Sequence, residues 1–471
     1  MTGPAPAPDA APAPAPAPSA DALTGTAPPP VRGLRRFGRP PRVMGVDVAR
    51  GVAVIGMIGA HVGVTEAFRW GDVSTWTDLV HGRSSLLFAL VAGISIALLT
   101  GGRTLPARED LPRLRLLLVG RGAVVFALGV ALELLGTGIA VILTLYGVLF
   151  VAVVPFLRWR RRHLLITAAL LALVGPFALT VLGYLAVDAY GPGIDLVLFG
   201  SYPVTVWLAL LLTGLAIGRS DLLSRRTAVR LLVVGVALCA VGYGVAGLTG
   251  RSAASSSGSS SSSYEEGVTV PGGDLDLTDW TCWSSPDYVD CYPDSADVSG
   301  SGSSESTVSS TPTGTEAGLV EQLVVLGEIL PDSGIVDAVV DASPHSGGSA
   351  EIVGSGGFAM AIVGGALLLS RPLRWVLLPV ASLGSMPLSA YAAHVVVIAV
   401  TLGVAGTAED DTLWVVLSLS LLVASTLWVQ FVGRGPLERL AAAGARAMAG
   451  DPRRPTPRAE PPREAPRPDA P

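Results

Sequence analysis

Residues 45–62 read GVDVARGVAVIGMIGAHV, an apolar run close to the ~20 residues that cross a bilayer, interrupted by Asp47, Arg50 and His61. Read as a helix, Arg50 and His61 stand about 20° beyond three full turns apart and so share a face. They are separated along the axis by roughly 16 Å at ~1.5 Å per residue. Asp47 falls on the same stripe, where it can pair with Arg50. Ionisable groups in hydrocarbon are costly and mark functional positions by default. The plainer alternative is that Asp47 and Arg50 anchor the helix at an interface and His61 caps its far end.

Working outward, runs of the same kind recur. We read spans at 46–64, 79–100, 114–134, 139–157, 164–187, 201–217, 231–249, 352–370, 387–404 and 413–432. The apolar stretch 375–386 either lengthens the ninth span or forms an elbow broken at Pro387. Charged residues make up 15% of the chain, against roughly 25% in a soluble domain, so a soluble reading would bury nearly every helix on all sides. Every basic charge is arginine, and this, with the Ala, Gly, Val and Pro excess, reads as a GC-rich bacterial chain. Arginines crowd alternate connections: Arg32 to Arg42, Arg103 to Arg115, Arg158 to Arg162, Arg219 to Arg230, Arg371 and Arg374, and Arg434 onward. The intervening connections carry only Arg69, Arg83 and Arg251. By the positive-inside rule the expectation is an all-α, multi-pass protein of the plasma (inner) membrane. It has about ten transmembrane helices and both termini inside, embedded in lipid.

The net charge of −5 hides a segregation. Segment 31–43 holds five arginines and no acid, whereas 251–351 holds 17 acids and one base. We divide the chain into a cytoplasmic tail (1–43, Ala/Pro-rich and disordered, then Arg-rich), seven helices (44–250), an extracytoplasmic Ser-rich acidic loop (251–351), three helices (352–434) and a cytoplasmic tail (435–471) that starts as an Ala/Arg helix and ends disordered. Within the loop, 316–342 has helical spacing and suits an amphipathic surface helix. Cys282 and Cys291, flanked by Trp280, Trp283 and Tyr292, suit a hairpin closed by a disulfide if the loop faces an oxidising space. Cys239, in an apolar run, reads as inert packing.

Further polar residues extend the histidine layer. Asp78, His81 and Arg83 open the second span, at the level of His61. His394 lies deep in the ninth span, three residues after Tyr391, and needs a buried partner; it can equally serve to tie helices together. His345 precedes the eighth span, and Glu133 ends the third near the same level, whereas His163 sits in an arginine run. No HxxxH or Cys/His spacing supports a metal, no basic aromatic patch suits nucleic acid, and no nucleotide loop or nucleophile elbow is present.

The pattern Asp47-x-x-Arg50-Gly51, with His61 eleven residues after the arginine, resembles the first-span signature of the integral membrane acyltransferases, the O-acetyltransferases of surface polysaccharide. LLFALVAGISIAL (86–98) resembles that family's second span, and Leu383-Gly384 through Tyr391-x-x-His394 a late-span motif. A closer likeness is to bacterial proteins similar to heparan-alpha-glucosaminide N-acetyltransferase and their YeiB-like relatives. GTGIAVILTLYGVLFVAVVPFL (136–157) and PHSGGSAEIVGSGGFAMAIVGG (344–365) share in it. The likeness covers roughly 44–250 and 344–434.

The resemblance implies an acyl-CoA-dependent acyltransferase. Acetyl-CoA or another acyl-CoA would be its cytoplasmic donor, and a saccharide or other cell-envelope group outside its acceptor. Arg50, with Arg113, Arg115 or Arg121, would hold the donor's phosphates. Asp47 would orient Arg50, and His61 would act as general base. His81 or His394 would orient His61 or stabilise the oxyanion. The eukaryotic heparan enzyme has its reactive histidine in the loop after the first span. Here 65–78 carries none, and His61 and His81 stand at its edges, which favours His61 as base over an acetyl-histidine. Two readings compete. One is a transporter or lipid- or solute-handling protein using the same Asp/Arg/His pathway, although two matched halves are lacking. The other is a sensor with the acidic loop as its external domain.

Overall fold

The computed structural model describes residues 42–64, 82–185, 198, 203–249, 280–284, 289–293, 335–404, 406 and 408–450. The chain divides into two compact units, 255–328 and the remainder. The remainder is helical: α1 (Met44–Val62), α2 (Arg83–Leu99), α3 (Leu111–Glu133), α4 (Leu143–Ala152), α5 (Arg161–Leu185), α6 (Val204–Gly218), α7 (Arg225–Leu248), α8 (Ile335–Val340), α9 (Ser349–Leu369), α10 (Leu378–Gly384), α11 (Pro387–Leu402), α12 (Asp411–Phe431) and α13 (Pro436–Ala449). Described residues of the other unit form an antiparallel hairpin, β1 (Trp280–Ser284) with β2 (Val289–Pro293). Its register sets Cys282 opposite Cys291; the expected disulfide concerns side chains outside the described residues. Of the expected surface helix 316–342, only α8 falls within the described residues.

Each expected span has a helical counterpart, but they are not ten equal crossings. Among the described residues six helices, α1, α3, α5, α7, α9 and α12, are long and apolar enough to cross a membrane, and α10 with α11 make a seventh if taken as one broken span. The other three are shorter. α2, α6 and α4 have 17, 15 and 10 residues, or about 26, 22 and 15 Å against a hydrocarbon core of about 30 Å. The stretch 375–386 is an elbow rather than an extension, because α10 and α11 meet at 86°. Pro387 opens α11, where its missing N–H costs nothing but its ring prevents α10 from running on.

The short helices sit at the centre. Leu90 and Ile94 of α2 and Trp207, Leu211 and Leu212 of α6 are buried. α2 and α6 approach closely because a Cβ at Gly93 would overlap the Leu211 carbonyl, and one at Gly214 the Leu90 carbonyl. A second glycine seam, Gly235 and Gly242 against Gly354 and Gly357, packs α7 on α9. On the periphery, α5, α7 and α12 turn Leu170, Val233, Val236 and Leu419 outward, each more than half exposed. Such faces are stable against hydrocarbon rather than water, as befits a multi-pass membrane protein.

Candidate active site

The site begins with Arg50 on α1. Its Nη1 donates to Asp47 Oδ1 at 3.0 Å and to the Gly384 carbonyl at 2.8 Å, and its Nη2 to Ser95 Oγ at 2.6 Å. Asp47, buried, also accepts from Arg42 Nε at 2.5 Å and so lies between two guanidinium groups. This arrangement depends on α10 lying directly on α1. A Cβ at Gly384 would overlap the Asp47 carbonyl, and one at Gly51 the Val380 carbonyl.

From Arg50 a cavity of about 230 Å³ runs between α1, α2, α3, α4 and α11. Its arginine end is formed by Arg50, Arg121, Ser95 and Glu438, its walls by apolar side chains such as Ile96, Leu99, Val125 and Leu388, and its other end by Tyr146 and Tyr391. Arg121 stands over the Phe150 ring at 5.7 Å. Among the described residues it has no hydrogen-bond acceptor and no carboxylate in ion-pair contact. Glu438 reaches in from α13. Its Oε1 accepts from the N–H groups of Leu388 (2.7 Å) and Ser389 (3.1 Å), and its Oε2 from the Ser389 hydroxyl at 2.5 Å. It thereby caps α11, whose first-turn donors have no partner within the helix. Beyond α12, burial and then repulsion from Arg42, Arg446 and Arg439 pull the Arg434 guanidinium below its ordinary pKa. Positive charge is therefore concentrated beside this end.

A second, smaller cavity of about 40 Å³ lies at the histidine end, lined by His61, His345, Ser84, Ser85, Ile142 and Tyr391 among others. The rings of His61 and His394 stack at 5.6 Å and 12°. His394 is fully buried, edge-on to Tyr391 at 4.8 Å, with Nδ1 3.4 Å from the Ala390 carbonyl; among the described residues its Nε2 has no hydrogen-bond partner. Stacked rings do not aim one nitrogen at the other, so His394 supports His61 by packing rather than by an in-line hydrogen bond. His345 adopts φ 66°, a conformation that costs a non-glycine residue about 1–3 kcal/mol. Glu351 holds that turn by accepting from the His345 and Gly347 N–H groups, each at 2.8 Å.

The structure thus brings Asp47, Arg50 and Arg121 together at one end, and His61 and His394 at the other. Arg113 and Arg115 line neither cavity, and His81 lies outside the described residues. Glu133 receives the Thr144 hydroxyl at 3.1 Å rather than facing a histidine. Arg83 donates to the Tyr243 hydroxyl at 2.7 Å, tying α2 to α7. His345 lines the histidine-end cavity, at the level where its place before the eighth span put it. Glu438 and Tyr146 escaped sequence reasoning, and nothing local marks either. Among the described residues no three His, Cys, Asp or Glu side chains converge on a metal position.

No curated protein and no solved structure matches the chain. Residues 42–242 match the family model described as heparan-alpha-glucosaminide N-acetyltransferase, catalytic. That interval includes the ion pair of α1, both serines of the histidine end, Arg121 and His61, and the family that it matches is one of membrane acetyltransferases.

Proposed function

We propose that the protein transfers an acetyl group from acetyl-CoA, the donor its family uses, to a hydroxyl or amine of a cell-envelope saccharide, the two substrates entering from opposite ends of the site. The observation that carries this reading is Arg121, a cation with no carboxylate in ion-pair contact among the described residues, facing a narrow, apolar-walled cavity whose far end abuts a histidine pair. A phosphate or polarised oxygen satisfies such a cation, and the walls suit an extended, uncharged chain. The arginine distribution supports an arginine end that faces the cytoplasm, on the donor's side.

In this scheme Arg50, fixed by Asp47, Gly384 and Ser95, and Arg121 receive the donor. His61 takes the proton from the acceptor as its oxygen or nitrogen bonds to the acetyl carbon. The thioester C–S bond breaks, and His61 returns the proton to the departing sulfur. His394, stacked behind, keeps the His61 ring in place. Fixed donors and an oriented base contribute through preorganisation.

The test is acetyl-CoA binding by calorimetry and CoA release with cell-envelope saccharides, using detergent-purified protein. His61→Ala is expected to bind acetyl-CoA as wild type does and to lose transfer by about 10²-fold or more. A well-folded wild type that binds no acyl-CoA would sink this reading and favour a solute pathway through the same residues.

A further inference from the structure

The two cavities meet at a single side chain. Tyr391 lines both and is 1% exposed. Its hydroxyl accepts the Ile142 N–H at 3.3 Å, across the bundle from α11 to the start of α4, and its ring stands edge-on to His394. Tyr146 completes the wall from the opposite side. It lines the larger cavity, and its hydroxyl donates to the carbonyl of Ser85, which lines the smaller one, at 3.3 Å. Phe88 and Trp207 pack edge-on against Tyr146 at 5.2 and 5.9 Å and hold it there.

We propose that Tyr391, braced by Tyr146, is the partition between donor and acceptor compartments, and that it keeps water on the histidine side away from the donor's thioester. This rests on the acetyltransferase reading above and assigns a positioning residue within it. The chemistry explains why a partition is needed. A base competent to deprotonate a sugar hydroxyl also activates water, whose oxygen would bond to the acetyl carbon as the C–S bond breaks, yielding acetate and CoA thiol. The histidine-end cavity, about 40 Å³, has room for one or two waters, so water is small enough to compete with the acceptor beside His61. Closed sites suppress such side reactions by excluding water. Two aromatic rings anchored to backbone groups of other helices form a barrier that moves only when those hydrogen bonds yield.

The experiment compares wild type, Tyr391→Phe, Tyr391→Leu and Tyr391→Ala. CoA release from acetyl-CoA is measured with no acceptor and then with glucosamine, alongside acetyl-CoA affinity and monodispersity in detergent. The expected result is a ratio of acceptor-free to acceptor-dependent release that rises about tenfold in Tyr391→Ala. Tyr391→Leu, which keeps much of the volume, should fall between wild type and Tyr391→Ala. Tyr391→Phe, which keeps the ring, should leak less than either. A general loss of structure would lower both rates and leave the ratio alone. An unchanged ratio in folded Tyr391→Leu and Tyr391→Ala, with wild type active, overturns the partition and spares the acetyltransferase reading. A wild type that binds no acetyl-CoA overturns both.

Discussion

Arg50 commits three hydrogen bonds to Asp47, Gly384 and Ser95, groups from three different helical segments, leaving two of its five N–H donors for a ligand. A lysine keeps the charge but cannot hold three acceptors in the plane of one fork. We therefore expect Arg50→Lys to weaken acetyl-CoA binding about tenfold, or ~1.4 kcal/mol, measured by calorimetry; affinity equal to wild type would remove Arg50 from the donor site. Much at this scale was legible in the sequence. The Asp47–Arg50 pair follows from three-residue spacing on a helix, and the shared face of Arg50 and His61 from helical geometry, because both are local. The partners across the bundle were not legible. Glu438 caps a helix about fifty residues earlier in the chain, and Tyr146 reaches Ser85 across 61 residues. Neither pairing leaves a periodic trace. The arginines show the same limit: composition nominated Arg113, Arg115 and Arg121 alike, and only packing distinguishes the one that faces the cavity.

Among the elements, the elbow between α10 and α11 governs the site. One side of it supplies the Gly384 carbonyl to Arg50, and the other begins the helix that carries Tyr391 and His394. The sequence left extension and elbow both open at Pro387, since apolar content is the same for either; the 86° turn is a property of how α10 lies on α1. That contact depends on Gly384. Gly384→Ala is expected to force α10 off α1, destabilising the protein by about 1–3 kcal/mol, and to weaken acetyl-CoA binding as the Arg50 acceptor moves. Thermal unfolding in detergent and calorimetry measure the two effects, and a variant as stable as wild type with equal affinity would show that the elbow tolerates a side chain. The three short central helices were expected as full spans because hydropathy reports how apolar a run is, not where its helix stops.

At the scale of the molecule, the site draws on both sides of the long acidic segment. α1 to α4 supply Arg50, His61, Arg121 and Tyr146, whereas α11 and α13 supply Tyr391, His394 and Glu438. The family match ends at residue 242, so the later helices complete a wall that the matched interval leaves open. The two groups of helices are joined in space by the seam of glycines between α7 and α9, where backbones approach without intervening side chains, and by α10 lying on α1. Covalent continuity between them is then dispensable. Residues 1–254 and 329–471, expressed as separate polypeptides in one cell, should find each other through that seam, co-purify and bind acetyl-CoA, reconstituting by fragment complementation what the intact chain achieves by linkage.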